Sequence, residues 1–409
     1  MPPINRIDIR TSSSELPQRA GYDAMACARS TVRRLGIWGK NQQMGNRWSV
    51  GCIALEITQR CNLNCTACYL SQNAESIKDP PLEEIFTRID QIYRYYGRNT
   101  NVQVTGGEPT VRNPSELLAI VRRVHERHMH PTLMTNGIQL TRPALMDLVK
   151  AGLTDIAFHV DTTQHRDGYP SETALNQIRR QYIEMTRGLP LSVYFNTTVY
   201  KDNFHEIPAL VRFFRQQADI VRITAFQLQA DTGRGIQGKR DAAITQQRVL
   251  EQIETGSGTT VNFNNLIIGN PRCNRCGICL AVNGNLYDLL DDPRLVKLIH
   301  AATPDIAWLR NRPRTTVGLF LRWLVRHPIN IVPVGRWGLR KLWNLKKDLL
   351  SARGRLHALA FLVHGFMDAD ALDFDRVESC AFKTMTDTGP VCMCVYNANR
   401  KEYILDSTK

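Results

Sequence analysis

The chain has 409 residues, of which 43% are hydrophobic and 22% charged, a composition that is typical of a folded globular protein and excludes a disordered or fibrous one. The formal net charge is +14, but residues 308–355 contain twelve basic residues and one acidic residue, so this segment carries +11 and the rest only +3. The excess charge is therefore a local patch and not a property of the whole surface.

Residues 1–18 are polar and lack the apolar core of a secretory signal. The longest apolar run, 317–334, is interrupted by Arg322, Arg326 and His327, which argues against a membrane-spanning helix. Nine of the eleven cysteines fall into three close groups, and such spacing favours metal ligation in a reducing compartment over disulfides. We therefore expect a cytoplasmic protein.

Strands and helices alternate after a weakly periodic leader, 1–50. Apolar, β-branched runs predict strands at 53–58, 102–105, 132–135, 155–160, 191–199 and 220–226. Helical periodicity predicts helices at 82–95, 114–128, 142–151, 172–186, 206–217 and 241–254. This alternation predicts parallel strands with crossover helices, hence an α/β fold with a partial (β/α)6, TIM-like barrel over 51–255. A cysteine-rich extension, 256–409, follows the barrel.

Candidate site residues follow successive strands of the predicted barrel. Cys61 comes after the first strand, Glu108 after the second, Asn136 after the third and Asp161 after the fourth. Because chemistry in such folds lies at the carboxyl ends of the strands, we expect these side chains to meet there.

The first cysteine group, Cys61, Cys65 and Cys68, lies in one eight-residue loop. Three thiolates can hold three irons of a four-iron cluster and leave the fourth iron open. A structural zinc site is the alternative, but zinc usually takes four ligands with C-x2-C spacing. The C-x3-C-x2-C spacing closely resembles the signature of the radical S-adenosylmethionine (SAM) superfamily, although Ala67 stands where the family usually has an aromatic residue.

A second motif, Thr-Gly-Gly-Glu-Pro at 105–109, resembles the GGEP motif of the same family, whose backbone and glutamate contact the amino group of SAM. The positions that match the SAM contacts of the family are Gly106, Gly107, Glu108, Pro109, Asn136, Asp161 and Asn196. Asn136, Asp161 and Asn196 could equally be turn residues or strand caps.

The resemblance implies a reaction and its cofactors. A 4Fe–4S cluster on the first cysteine group would take an electron from a reductant such as flavodoxin or ferredoxin and cleave SAM to methionine and a 5′-deoxyadenosyl radical. That radical would abstract hydrogen from an unactivated carbon of the substrate.

Six further cysteines lie in the extension. They are Cys273, Cys276, Cys279, Cys380, Cys392 and Cys394. The first three have the C-x2-C-x2-C spacing of ferredoxin-like ligand loops, and together the six predict one or more auxiliary iron–sulfur clusters. Zinc, which also accepts four thiolates, is the alternative.

A finer resemblance suggests the substrate. The segments 136–137, 159–163, 203–207, 226–234, 366–368 and 375–380 are similar to the tetraether lipid synthase branch of the superfamily. This similarity implies a lipid chain as substrate. The sequence departs from that branch near its beginning, where only Cys27 and Cys52 stand in place of a rubredoxin-like module.

The basic segment 308–355 also contains four of the six tryptophans: Trp308, Trp323, Trp337 and Trp343. Indole rings and basic side chains suit an anionic membrane surface or a lipid entrance, so we expect peripheral attachment at the inner membrane face. RNA binding and an amphipathic helix packed on the barrel are the alternatives.

Other functions stay open at this point. The enzyme alternatives are a peptide-modifying maturase and an RNA-modifying radical SAM enzyme. The non-enzymatic alternative is a metal scaffold that binds membranes without turnover, although such a scaffold would have no use for an open-site cluster beside a SAM pocket.

Overall fold

The computed structural model describes residues 51–266, 268–302, 306, 309 and 311–405. The predicted leader, Cys27 and Trp308 lie outside these residues.

Six strand–helix units occupy the first half of the described chain. The strands are β1 (Cys52–Thr58), β2 (Asn101–Gly106), β3 (His130–Thr135), β4 (Asp155–His159), β5 (Ser192–Val199) and β6 (Val221–Leu228). The helices are α1 (Leu82–Tyr96), α2 (Pro114–Glu126), α3 (Arg142–Lys150), α4 (Asn176–Thr186), α5 (Ile207–Gln216) and α6 (Gln246–Ser257). Every predicted element of the barrel is therefore present, with ends that differ by a few residues.

The extension is also built of strands and helices. Its strands are β7 (Asn274–Val282), β8 (Asn285–Asp288), β9 (His357–Gly365), β10 (Phe382–Thr386) and β11 (Gly389–Cys392). Its helices are α7 (Pro293–Ala302), α8 (Pro313–Arg326), α9 (Ile331–Ser351), α10 (Phe374–Glu378), α11 (Met393–Ala398) and α12 (Arg400–Leu405). Short 3-10 helices lie at Ala74–Ser76, Pro109–Val111, Thr162–Gln164, Phe204–Glu206 and Pro328–Asn330.

The described strands form one sheet in the order β11-β10-β1-β2-β3-β4-β5-β6-β9-β7-β8. The eight strands from β10 to β9 are parallel, while β11, β7 and β8 are antiparallel to their neighbours. The α/β fold with a partial TIM-like barrel is thus confirmed. The extension adds one parallel strand at each edge of the six-stranded core, which the sequence pattern did not predict.

The two added parallel strands approach each other where the barrel would close. The ring of His364, at the end of β9, stands edge-on to the ring of Phe382, at the start of β10, with centroids 4.9 Å apart. The backbone N–H of Gly51 also donates to the carbonyl of Ala381, 2.7 Å away, at the start of β1.

The main core lies between the sheet and its helices. Phe158, Phe195, Phe226 and Phe361 are fully buried on the helix side of four adjacent strands. Helices reach this core because their apolar residues recur at the helical period. In α2, Leu117, Ile120, Val121 and Val124 form the buried face.

The starts of several helices are fixed by side-chain caps. The side-chain oxygens of Asn113, Thr141 and Thr245 accept hydrogen bonds from backbone N–H groups in the first turns of α2, α3 and α6. Within the described part of the chain, no helix is both long and apolar enough to cross a bilayer.

Candidate active site

The first cysteine group lies in an irregular loop that begins where β1 ends. The thiols of Cys61, Cys65 and Cys68 are half-buried, and each of the first two interacts electrostatically with both other thiols. Burial, followed by nearby negative charges, raises the pKa of Cys61 to about 11. Burial and the charge of Asp161 also raise the pKa of Cys65. The structure thus brings the three predicted soft ligands together, and this donor set fits a four-iron cluster with one open iron.

The loop between β6 and α6 holds the cysteine loop in place. The backbone N–H of Ile236 donates to the carbonyl of Thr66 at 2.8 Å, and that of Arg234 donates to the carbonyl of Leu70 at 2.7 Å. The side chain of Arg234 also donates to the carbonyl of Leu63 at 3.2 Å. No sequence motif predicted that this loop fixes the cysteines.

Gly233 lies where the two loops touch. A glycine at this position is a sequence signal that could have indicated the contact between them. A Cβ atom on Gly233 would lie 2.3 Å from the carbonyl carbon of Tyr69, and the φ angle of Gly233 is +64°. Only glycine fits such a left-handed position against another backbone.

The Gly-Gly-Glu turn packs directly on the backbone that leads into the cysteine loop. A Cβ atom on Gly106 would lie 2.0 Å from the carbonyl oxygen of Thr58, and one on Gly107 would lie 2.1 Å from that of Arg60. The N–H groups of Gly107 and Glu108 donate to those two carbonyls, each at 2.9 Å. The two predicted motifs therefore form one continuous structure.

Glu108 is buried and its carboxylate joins the ends of β2 and β3. Its Oε1 accepts from the hydroxyls of Thr110 and Thr135, both at 2.7 Å, and its Oε2 accepts from the backbone N–H of Asn136 at 2.7 Å. Pro109 is buried and begins the 3-10 helix that carries Thr110.

Asn136 connects the end of β3 to the cysteine loop. Its Nδ2 donates to Oδ1 of Asn62 at 2.6 Å, and its own Oδ1 accepts from the N–H of Ile138 at 3.0 Å. Asn196 is buried on β5, in register with His159 of β4. Both asparagines therefore lie at the end of the barrel that holds the thiols.

Asp161, which is fully buried, forms an ion pair with His159, whose side chain is 34% exposed. His159 Nε2 is 2.6 Å from Asp161 Oδ2, which also accepts from the N–H of Thr198 at 2.7 Å. Burial alone would raise the pKa of Asp161 and lower that of His159. The attraction between their opposite charges and the hydrogen bond that joins them outweigh this effect. The pKa of Asp161 is consequently lowered to about 2, and that of His159 is raised above its ordinary value. His159 is not among the site residues predicted from the sequence.

We expect replacement of Asp161 by asparagine to lower the pKa of His159 from its raised value, because the carboxylate charge that raises it is removed. In the wild type, the protonated imidazole of His159 adds to the free energy of unfolding below pH 6.5. This contribution is lost as pH rises through the raised pKa of His159. Stability from Asp161 is present above about pH 3.9 and is lost as pH falls through about 2.

NMR titration of ¹³C-labelled histidines would measure the change. His357, whose pKa is lowered by burial and by Arg222, is the internal control and should not move. An unchanged midpoint for His159 in D161N would contradict the ion pair.

A second ion pair lies beneath the cysteine loop and joins it to the last described helix. Arg400 Nη1, at the start of α12, is 2.8 Å from Glu56 Oε2 of β1, and the two side chains are only 3% and 6% exposed. The guanidinium lies over the ring of Tyr69, 4.7 Å from its centroid, and the hydroxyl of Tyr69 donates to the carbonyl of Gly106 at 2.7 Å.

Four of the six extension cysteines meet in a second location. The thiol of Cys392 interacts with those of Cys380 and Cys394, and Cys273 interacts electrostatically with Cys380. Arg376 Nε lies 3.1 Å from Cys273 Sγ. We call Cys273, Cys380, Cys392 and Cys394 the C-terminal thiol group.

Cys276 and Cys279 do not join this group. They lie three positions apart on β7 and not on the ligand loop that their spacing predicted, so their side chains project from opposite faces of the sheet. Cys279 belongs to the helix-side core, while Cys276 is buried opposite Leu362 on the other face. The physical reason is the ladder with β9, which extends over Asn274–Ala281 and makes the segment a strand.

Within the described residues, no three histidine, cysteine, aspartate or glutamate side chains are already close enough to hold one metal ion. A four-iron cluster spreads its thiolates over four irons, so its ligands lie farther apart than those of a single ion.

Sequence comparisons show which known proteins this part of the chain is similar to. Residues 55–214 match the family model described as the radical SAM superfamily. A 7,8-dihydro-6-hydroxymethylpterin dimethyltransferase of Methanocaldococcus jannaschii is 30% identical over 186 residues, which are 44% of this chain and 36% of that protein. A probable GTP 3′,8-cyclase of Pyrococcus abyssi is 32% identical over 164 residues, covering 39% of this chain and 52% of that protein.

Further similarities cover comparable parts of the chain. A PqqA peptide cyclase of Bradyrhizobium diazoefficiens is 25% identical over 168 residues, 39% of this chain and 42% of that protein. Among solved structures, Streptococcus suis SuiB bound to its precursor peptide SuiA has a TM-score of 0.39 at 19% identity, covering 50% of this chain and 46% of that one. The chain thus spans about a third to a half of the curated relatives named here. Over residues 55–214 the chain is thus similar to the radical SAM superfamily, as its cysteine loop and its Gly-Gly-Glu turn predicted.

Proposed function

We propose that the protein cleaves SAM reductively and abstracts hydrogen from an unactivated carbon of a lipid chain. The observation that carries the SAM chemistry is the convergence of the Cys61, Cys65 and Cys68 thiols beside the Gly106-Gly107 turn, at the carboxyl end of β1. A 4Fe–4S cluster held there by the three thiolates would supply the electron that splits SAM into methionine and the 5′-deoxyadenosyl radical, and the substrate would give that radical a hydrogen atom.

The side chains of the site have distinct roles in this proposal. The three cysteine thiolates hold the cluster. Glu108 and Asn136 fix the loop ends around it through the hydrogen bonds described above. The His159–Asp161 pair lies on the adjoining strand with the imidazole 34% exposed, so the imidazole is available to a polar group of SAM or substrate. A low-potential protein such as flavodoxin or ferredoxin would deliver the electron.

The inner wall of the barrel supports an apolar substrate. One row across the sheet is Ile223, Ala360 and Ile278, and the next is Ala225, Leu362 and Cys276. Ile223, Leu362 and Ile278 are half-buried, whereas Phe226, Phe361 and Val363, on the opposite face, are fully buried against the helices. These two rows on the inner face of β6, β9 and β7 are therefore mainly apolar and partly open, as an alkyl chain would require, and the next row toward the ends of β6 and β9 is polar, with Gln227, His364 and Asn274.

We also propose that the C-terminal thiol group holds an auxiliary iron–sulfur cluster. Its four soft donors match the four ligand positions of a 4Fe–4S cluster. Cys276 and Cys279 are then structural residues of β7. A lipid substrate would place the protein peripherally at the inner face of a membrane.

Anaerobic reconstitution with iron and sulfide tests the chemistry. The wild type is expected to bind about eight irons per chain, four for each cluster, and to form 5′-deoxyadenosine from SAM under dithionite. Cys65→Ala should bind about four irons and form no 5′-deoxyadenosine. Cys392→Ala should also bind about four but keep SAM cleavage, because the first cysteine group is intact.

Cys279→Ala is the matched control, and both its iron content and its SAM cleavage should stay at the wild-type level. Zinc in place of iron in the wild type, without 5′-deoxyadenosine, would contradict the proposal and favour a metal scaffold. The substrate is tested separately by adding lipid extracts or peptides. If peptides alone stimulate 5′-deoxyadenosine formation, the substrate is a peptide and not a lipid, as the name of the PqqA peptide cyclase relative would suggest.

A further inference from the structure

Helices α8 and α9 form a hairpin that carries most of the exposed apolar surface of the described chain. Fourteen large hydrophobic side chains are exposed among the described residues, and ten of them lie within 317–350. Contiguous apolar patches of this kind are rare on soluble monomers and mark interaction surfaces.

The exposed side chains form a stripe along each helix. On α8 the stripe is Val317, Leu321 and Val325, which recur every four residues and are 56–75% exposed. On α9 it is Val332, Leu339, Trp343 and Leu350, at spacings of seven, four and seven residues and 59–80% exposed. Ile329, at the tip between the helices, is 85% exposed. The stripes follow the helical period, so each is a continuous outward face.

The opposite faces of the hairpin are already occupied. Trp323 and Leu324 are buried with Ile306 and Ala302 in a small separate core. On α9, Lys341 is buried and its Nζ lies 2.8 Å from Asp291 Oδ2. These inward contacts fix the orientation of the hairpin, so the apolar stripes cannot rotate inward without breaking them.

The charges around the stripes are positive. Exposed cations flank both helices at Arg314, Arg322, Arg326, Arg336 and Lys347. The single acidic residue of the segment, Asp348, is turned toward the β7–β8 hairpin, where Asn285 Nδ2 and the hydroxyl of Tyr287 donate to its Oδ2, each at 2.7 Å. The outward surface therefore combines aliphatic side chains with uncompensated positive charge.

We propose that the α8–α9 hairpin docks the protein on an anionic bilayer surface, with its aliphatic stripes among the lipid headgroups and its arginines and lysines on the phosphates. Apolar burial and attraction to anionic lipid then act together, as they do for interfacial amphipathic helices. The proposal does not rest on the SAM chemistry, because the hairpin shares no residue with either thiol group.

Nucleic acid fits this surface less well. Single strands bind to basic grooves with aromatic rings on which bases stack. The exposed stripes are aliphatic except for Trp343, and the ring of Trp343 is covered by the Nζ of Lys346, 3.1 Å from its centroid.

Flotation with lipid vesicles tests the inference on the full chain without SAM. The wild type should bind vesicles of phosphatidylcholine with 30% phosphatidylglycerol at least tenfold more tightly than pure phosphatidylcholine, and salt should weaken the binding. Leu339→Ser with Trp343→Ser should reduce binding at least tenfold, since both side chains are exposed and their loss removes inserted apolar area. Arg322→Glu with Arg326→Glu should abolish the preference for the anionic lipid.

Met146→Ser is the matched control, because Met146 is 40% exposed but lies outside the hairpin, and its vesicle binding should equal that of the wild type. Unchanged circular dichroism of each variant would show that the fold is retained. Equal binding to both vesicle types, or binding that survives the hairpin variants, would overturn the inference. Tight binding of an RNA oligonucleotide without vesicle binding would show that the partner of this surface is RNA. Self-association that the same variants abolish would show that the partner is a second copy of the chain.

Discussion

Alanine at Gly107 is expected to lower the free energy of unfolding by about 3 kcal/mol or more and to prevent the cysteine loop from closing. The added Cβ would lie 2.1 Å from the carbonyl oxygen of Arg60, 2.6 Å from its carbonyl carbon and 2.7 Å from the carbonyl oxygen of Gln59. All three are backbone atoms, so no side chain can rotate away. The turn would have to separate from the strand end, and the hydrogen bonds of Gly107 and Glu108 would be lost with it.

Urea unfolding of the metal-free protein measures the stability, and iron content after reconstitution measures the loop. Gly318→Ala is the control, since Gly318 lies in α8 with no atom within 4 Å of the added Cβ. That variant should be stabilised by about 0.5–1 kcal/mol, because alanine favours the helix. A Gly107→Ala protein that unfolds like the wild type and binds the same iron would contradict the packing of the two motifs.

Methionine at Arg400 is the second substitution with a large expected effect, a loss of about 3–5 kcal/mol in the free energy of unfolding. The change leaves Glu56 as a buried carboxylate without its cation, 6% exposed beneath the cysteine loop. It also removes the cation from the rings of Tyr69 and Tyr396, both 4.7 Å from the guanidinium. Adding Glu56→Gln should restore part of the loss, because the buried charge is then gone.

Arg187→Met is the matched control. Arg187 makes hydrogen bonds of 2.7–2.9 Å with Glu184 and Asp219, but its side chain is 43% exposed. Surface pairs of this kind contribute at most about 1 kcal/mol. Equal urea midpoints for the Arg400 and Arg187 variants would show that α12 does not stabilise the strand beneath the cysteines.

The barrel could be predicted from sequence because its signals are local. A buried parallel strand is a short apolar run, and each helix shows a helical period, so the six units could be identified one by one. The cysteine loop and the Gly-Gly-Glu turn could be found for a similar reason, since spacing within a few residues carries the resemblance.

The added strands of the sheet and the grouping of the extension cysteines depend on contacts between distant segments. No local sequence pattern encodes such contacts. β10 pairs with β1 and β9 with β6, although both segments belong to the cysteine-rich extension, for which no strand was predicted. Cys276 and Cys279 share a motif with Cys273 in the sequence, but the pleat of β7 separates them. His159 has no motif of its own, and its role emerges only from the 2.6 Å distance to Asp161.

The pairing of β1 with β10 has a consequence for biosynthesis. Cys52 lies opposite Phe382, so β1 has an unpaired edge until the ribosome has made 330 further residues. During that interval the edge of an apolar strand is open to non-native pairing, and the cysteine loop lacks the support of Arg400. Such long-range closure also predicts slow folding, because distant segments must meet before the sheet is complete. A nascent chain of this protein therefore depends on residues 382–384 to cover this edge of β1.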